Sequence, residues 1–367
     1  MPTLFDPLTL RGVTVRNRIW VSPMCQYSIH KKDGVPVDWQ LVHLGAMAAG
    51  GAGLILTEAT GVSPEGRITN QDAGIWNDEQ RDAWARVVDF VHSQGSVVGM
   101  QLGHAGRKAS SWPMWGFDDR FAEGDMATAD GGWQTVGPST IPFPGYREPL
   151  ALDQAGLDKV VTDFAAGARR ALEAGFDVLE VHAAHGYLMH QFLSPLSNER
   201  TDEYGGSLEN RARLLLRVVT AVRDVAGADT PIFVRFSATD WVPGGLDEEQ
   251  IATVAAWAKE AGADFFDIST GGNGKATIPV APGYQVPFAD FVKKQAGVSV
   301  NAVGLITTPE QAAEIVESGR ADAVMMGREM ARDPHFVLRA AHELGVDIDY
   351  WPGQYLRARR PLLAKAA

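Results

Sequence analysis

The sequence has a single cysteine, Cys25, among its 367 residues. That excludes an internal disulfide, a four-cysteine zinc site and an iron–sulfur cluster held by this chain alone. A reduced, cytoplasmic compartment is the simplest setting for such a chain. Positive charge is also in deficit: 33 Lys and Arg stand against 45 Asp and Glu, a net charge of -12. This balance argues against nucleic acid or an anionic membrane as a partner through general electrostatics. No apolar run reaches the roughly 18 residues of a membrane span. The start, Met1-Pro2-Thr3-Leu4-Phe5-Asp6, lacks the basic and apolar regions of a signal peptide. Internal repeats and low-complexity segments are missing, and no Gly-x-Gly-x-x-Gly turn follows the first candidate strand.

The chain does alternate short apolar runs with amphipathic helical patterns. Candidate strands lie near 18–21, 53–57, 96–101, 177–181, 231–236, 264–268, 298–303 and 322–326. Most are continuous apolar runs, as expected of parallel strands buried on both faces. Eight of them with helices between predict an α/β fold, a closed (β/α)8 barrel, over a doubly wound sheet. Residues 8–15, with Gly12 in the middle, read as a hairpin before the barrel. Thr308-Pro309-Glu310-Gln311, Asp247-Glu248-Glu249-Gln250 and Asn77-Asp78 read as helix starts. In the last of these helices Trp84, Val87, Val88 and Val91 repeat at helical spacing and are core by default. The connection from about 105 to 150, rich in Gly, Pro and Trp, predicts a lid inserted after strand 3.

The most telling stretch is His182-Ala183-Ala184-His185-Gly186-Tyr187, directly after the apolar run 176–181. It brings three proton-handling or hydrogen-bonding side chains to one strand end, and the C-terminal rim of a parallel barrel is where its chemistry is done. A cap of two histidines with a core tyrosine is the plainer reading. Metal ligation is disfavoured, because no carboxylate or third histidine follows at a typical spacing. Other strand ends carry Ser22-Pro23-Met24-Cys25-Gln26-Tyr27, Glu58-Ala59-Thr60, Gln101, Gly304 and Gly327-Arg328. Glycines after strands 7 and 8 let backbone N–H groups approach a phosphate, and Arg328 adds a charge-assisted contact. Tight turns and a surface ion pair would use the same residues. Gln101 and Arg235 are polar groups in apolar strands; a buried heterocycle would satisfy them, as would an internal salt bridge for Arg235.

These motifs together resemble the old yellow enzyme family of FMN-dependent ene-reductases over nearly the full length. The resemblance rests on Asn17-Arg18, Ser22-Pro23-Met24-Cys25, Gln101-Leu102-Gly103-His104-Ala105-Gly106-Arg107, His182 to Leu188, and Arg200-Thr201-Asp202-Glu203-Tyr204-Gly205-Gly206-Ser207-Leu208-Glu209-Asn210-Arg211. Cys25 with Tyr27, and the histidine pair, look like the thermophilic-like bacterial branch that includes xenobiotic-reductase-like members. The resemblance implies one FMN-binding barrel over 1–367, with the lid at about 105–150 and a C-terminal interface segment at about 345–367. It implies an NADPH-dehydrogenase-type enzyme with non-covalent FMN, NADPH or NADH as reductant, and electron-poor alkenes (α,β-unsaturated carbonyl, maleimide or nitro compounds) as substrates.

Residue by residue, the resemblance places Ser22, Pro23, Met24, Cys25 and Ala59 along the flavin, Gln101 on its pyrimidine edge and Arg235 near N1 and O2. Gly304, Gly327 and Arg328 would hold the phosphate. His182 and His185 would donate to the substrate oxygen, which Tyr27 would also contact, and Tyr187 would give a proton to the α-carbon after hydride reaches the β-carbon. Gln354-Tyr355-Leu356-Arg357 resembles the segment that lends Arg357 to a neighbouring subunit, which implies a homodimer or a dimer-based tetramer; a solvated basic tail of Arg357, Arg359 and Arg360 is the other reading. Two rival functions are a 2,4-dienoyl-CoA-reductase-like enzyme, whose several cysteines this chain lacks, and a non-catalytic flavin- or ligand-binding barrel, which would not need a proton donor.

Overall fold

A computed structural model of the protein describes residues 2–115 and 124–359. Residues 116–123 of the expected lid and 360–367 of the expected C-terminal segment, Arg360 included, lie outside the described residues. Eight parallel strands close on themselves: β1 (Ile19–Val21), β2 (Leu54–Leu56), β3 (Val97–Gly103), β4 (Val178–Ala183), β5 (Ile232–Ser237), β6 (Phe265–Ser269), β7 (Val300–Ala302) and β8 (Ala323–Met326). Each pairs with the next, and β8 pairs with β1 to complete a (β/α)8 barrel. At least one helix follows each strand, from Asp38–Ala49 after β1 to Phe336–Glu343 after β8, with two after β4 and two after β8. All eight expected strands form. The fourth runs through Ala183, two residues past the apolar run, so His182 lies within the strand and not after it.

The helices begin where their capping residues stand. Thr308 accepts from Gln311 N, and Gln311 Oε1 in return accepts from Thr307 N at 3.1 Å. Asn77 and Gln80 form a reciprocal box, and Asp247 accepts from Gln250 N. Trp84, Val87, Val88 and Val91 are buried between helix and barrel, as their spacing requires. The hairpin, Leu8–Leu10 with Val13–Val15, packs its apolar side chains against the lower barrel interior. There Trp20, Phe233 and Phe265 fill the bore, with ring centroids 4.7–5.8 Å apart. Burying each such ring contributes about 1.5–3 kcal/mol, so the aromatic plug is a stable floor.

Directly above that floor the bore turns polar. Gln101 on β3, Glu180 on β4, Arg235 on β5, Asp267 on β6 and Asn301 on β7 face inward and are buried. Between β3 and its helix, the described part of 105–150 has short 3-10 turns at Gly106–Lys108 and Thr128–Asp130 and a two-residue pairing of Val136–Gly137 with Leu150–Ala151. No helix among the described residues is long and apolar enough to cross a membrane.

Candidate active site

The end of β4 makes a sharp turn that needs outside support. His185 has φ +58° and Gly186 +74°, the left-handed region that costs a side chain energy. A Cβ on Gly186 would stand 2.2 Å from Gly272 O, so only glycine fits there. Side chains from other elements satisfy the turn's backbone. Ser237 Oγ accepts from His185 N at 2.9 Å, His190 Nδ1 accepts from Gly186 N at 2.9 Å, and Gln191 Nε2 donates to Gly186 O at 2.7 Å. Lys108 Nζ donates to His185 O at 2.8 Å and Gly272 O at 3.0 Å. His190 is itself paired through Nε2 with buried Asp240 at 2.9 Å. Tyr187 then caps the short helix Leu188–Leu193.

The turn gathers three rings. His182 lies 5.3 Å from His185 and 5.0 Å from Tyr187 between ring centroids, edge to face in both cases. Burial first, then the nearby Arg235 charge, holds both histidines well below the usual imidazole range, so both are neutral. His182 Nδ1 accepts from Ala184 N at 3.3 Å, which leaves the proton on Nε2 as a donor. His185 Nε2 meets Ser269 Oγ at 2.8 Å. Ser269 Oγ also donates to Gln285 Oε1 at 3.2 Å, which accepts from Thr270 Oγ1 at 2.7 Å as well, so His185 is tied through Ser269 to the loop after β6. Burial raises the Tyr187 phenol well above its ordinary range, so it keeps its proton.

Ser22, Pro23, Met24 and Cys25 follow β1, where Ser22 Oγ receives Arg235 Nη2 at 3.2 Å. Cys25 packs with Tyr27, Ala59 and Tyr187. Burial, with the Asp72 and Glu58 charges, pushes its thiol up to about 12. Tyr27 has φ +45°, and Glu58 beneath it accepts from Gln26 N at 3.1 Å and Gln40 Nε2 at 2.8 Å. On one side of this group a cleft of about 260 Å³ is lined by Ser22, Met24, Gly304, Gly327 and Arg328. Arg328 has no ion pair among the described residues, which leaves its guanidinium available to an anion. On the other side a pocket of about 540 Å³ is lined by Tyr27, Ile68, Lys108, Trp112, Phe143 and Tyr187.

The structure thus brings the expected residues to one rim, with two differences. Gln101 and Arg235 are not idle polar groups: Gln101 Nε2 donates to Glu180 Oε1 at 2.7 Å, and Arg235 Nε stands 2.9 Å from Asp267 Oδ2. The internal salt bridge therefore exists beside the Ser22 contact. Arg357 lies on the exposed turn Gly353–Ala358, with no hydrogen bond, ion pair or ring contact to the histidine–tyrosine group among the described residues. Lys108, Glu180, Asp267 and Gln285 were not singled out by sequence reasoning. Among the described residues no three His, Cys, Asp or Glu side chains gather as a metal group would.

The NADH:flavin oxidoreductase / NADH oxidase family matches residues 3–347. The chain is 47% identical over 359 residues to an NADPH dehydrogenase of Listeria innocua, covering 98% of this chain and 99% of the relative. Its fold matches an old yellow enzyme homologue from Zymomonas mobilis with a TM-score of 0.76 and 29% identity, covering 99% of this chain and 100% of that one. It also matches a 2-naphthoyl-CoA reductase with a TM-score of 0.83 and 25% identity; there 94% of this chain is covered, but the chain spans only 52% of that protein's length.

Proposed function

Because this chain belongs to the NADH:flavin oxidoreductase / NADH oxidase family, that of old yellow enzyme, and is thus an FMN-dependent oxidoreductase using NAD(P)H, we propose that it reduces the C=C bond of small electron-poor alkenes. The observation that carries the reading is the His182, His185 and Tyr187 group: two neutral imidazoles beside a phenol that keeps its proton. The cleft at Gly304, Gly327 and Arg328 fits the phosphate of FMN, and the polar bore at Gln101 and Arg235 fits the edge of its ring system. When bound, FMN supplies hydride transfer from the nicotinamide to the alkene β-carbon.

The chain's own residues do the rest. His182 and His185 donate to the carbonyl or nitro oxygen, drawing electrons from the alkene, and Tyr27 flanks the same oxygen. Tyr187 donates its phenolic proton to the α-carbon. Ser22, Pro23, Met24, Cys25 and Ala59 line the ring system, and Arg235 offers positive charge to its N1 and O2 edge. The region at about 105–150 forms a lid; Trp112 and Phe143 from it already wall the pocket. Residues 1–367 act as one barrel unit, in a homodimer or dimer-based tetramer whose C-terminal segment lends Arg357 to the neighbouring site. A 2-naphthoyl-CoA reductase reading is less well supported, since this chain matches only about half of that protein.

Denaturation should release FMN, and NADPH under nitrogen should bleach the yellow protein. Cyclohexenone should then restore the colour. Bleaching with no recovery on any enone, maleimide or nitroalkene would refute ene-reduction while leaving the flavin assignment in place.

A further inference from the structure

The polar layer of the bore holds more carboxylates than it can neutralise. It is sealed below by Trp20, Phe233 and Phe265, and Glu180 and Asp267 are both 0% exposed. The layer contains two carboxylates and one cation, Arg235. Asp267 has Arg235 beside one oxygen and accepts from Asn301 Nδ2 at 2.7 Å on the other. Glu180 accepts at Oε1 from Gln101, but its Oε2 is buried with no hydrogen-bond partner among the described residues. An ionised carboxylate in that position leaves an unmet, charged acceptor in a low-dielectric layer, which is costly. A protonated one carries less charge and needs less solvation.

Resting on the assignment of FMN above, we propose that Glu180 is a redox-linked proton site: it takes up one proton when the bound flavin is reduced and releases it when the flavin is reoxidised. The balance is explicit. Hydride from NAD(P)H brings two electrons and one proton to the flavin and leaves one added negative charge above the layer. Ionised Glu180 then gains one proton from water, so reduction consumes two electrons and two protons in place of one. Passing the hydride to the alkene removes that charge, and the Glu180 proton returns to water. Tyr187 supplies the separate proton that reaches the substrate.

The charged groups that act on Glu180 are few. Asp267 on β6 repels its ionised form and Arg235 on β5 attracts it; Gln101 on β3 is neutral, as is Asn301 on β7. His182, two residues further along β4, is neutral. Burial and Asp267 outweigh Arg235 and Gln101 and push the Glu180 carboxyl up to about 8. Below that value Glu180 keeps its proton in both redox states, and the linkage is silent. Above it, an added negative charge nearby raises the proton affinity further and uptake begins.

The test is a redox titration of the FMN-loaded protein across pH, with Glu180→Gln as the comparison. Glutamine keeps an acceptor for Gln101 and mimics the protonated form. The potential should fall by about 30 mV per pH unit per proton in a two-electron couple. Wild type should follow the one-proton slope up to about 8, roughly double it in the interval above, and return to the one-proton slope once the pH passes the raised proton affinity of the reduced state. The variant should match wild type on the acid side and keep the one-proton slope throughout. Infrared difference spectra of wild type, reduced minus oxidised, a pH unit above that value should show a new protonated-carboxyl stretch that shifts with isotope-labelled glutamate. This measurement stands even if the variant does not fold. Parallel slopes in the two proteins, or no such band, overturn the proposal with FMN still bound. A protein that takes up no FMN overturns the cofactor reading and this inference together.

Discussion

Replacing Tyr187 with phenylalanine separates the two halves of the reaction. The ring would remain in place, held edge to face 5.0 Å from His182 and under the Lys108 ammonium at 5.0 Å. Only the hydroxyl is lost, so ligand binding should change little. A positioned general acid contributes about 10²–10⁴ in rate. At about 1.36 kcal/mol per decade this is roughly 2.7–5.4 kcal/mol of barrier. Because the phenol is held well above its ordinary range, wild-type alkene reduction should show no loss of the acid below about pH 10. Anaerobic stopped-flow measurement follows flavin bleaching by NADPH and its recovery with an enone separately. Tyr187→Phe should slow the second by that factor and leave the first unchanged. Equal slowing of both would show that the residue is structural, and a change of only a few fold in the second would mean that water serves as the acid.

Three further outcomes test the rest of the site. Because His182 and His185 are neutral by burial, affinity for a phenolic ligand should follow the ligand's own ionisation, with no break near pH 6.5, and replacing both by alanine should weaken it by tenfold or more; a spectral titration with a break there would show that one of them is charged. Cys25→Ser should shift the flavin potential and ligand affinity yet retain turnover, and the native thiol, pushed up to about 12, should resist alkylation at neutral pH; inactivation with FMN still bound would contradict this. Mixing Arg357→Ala with His182→Ala/Tyr187→Phe protein should give hybrid dimers more active than either parent, and no recovery despite proven subunit exchange would rule out a shared site.

The barrel was legible in the sequence because each parallel strand is buried on both faces. Runs such as 264–268 and 322–326 are therefore apolar without alternation, and every one of them became a strand. The rim was legible for the opposite reason: His182, Gln101 and Arg235 interrupt apolar strands, and a polar group there needs a partner. The identity of that partner was not legible. Glu180, Asp267 and Asn301 interrupt their strands just as visibly, but they lie 32 to 79 residues from the groups they meet. Which polar residues share a layer is fixed by the stagger between neighbouring strands as the barrel closes, and one sequence does not encode that stagger locally. Gln101 beside Glu180 and Arg235 beside Asp267 follow from registers that only closure sets. Lys108 shows the same limit on the outer side. Its place in the sequence does not tell that its ammonium bridges the loops after β4 and β6. The chemistry-bearing rim was thus readable from residue types at strand ends, while the polar groups that tune and hold it depend on which strands the closed barrel makes neighbours.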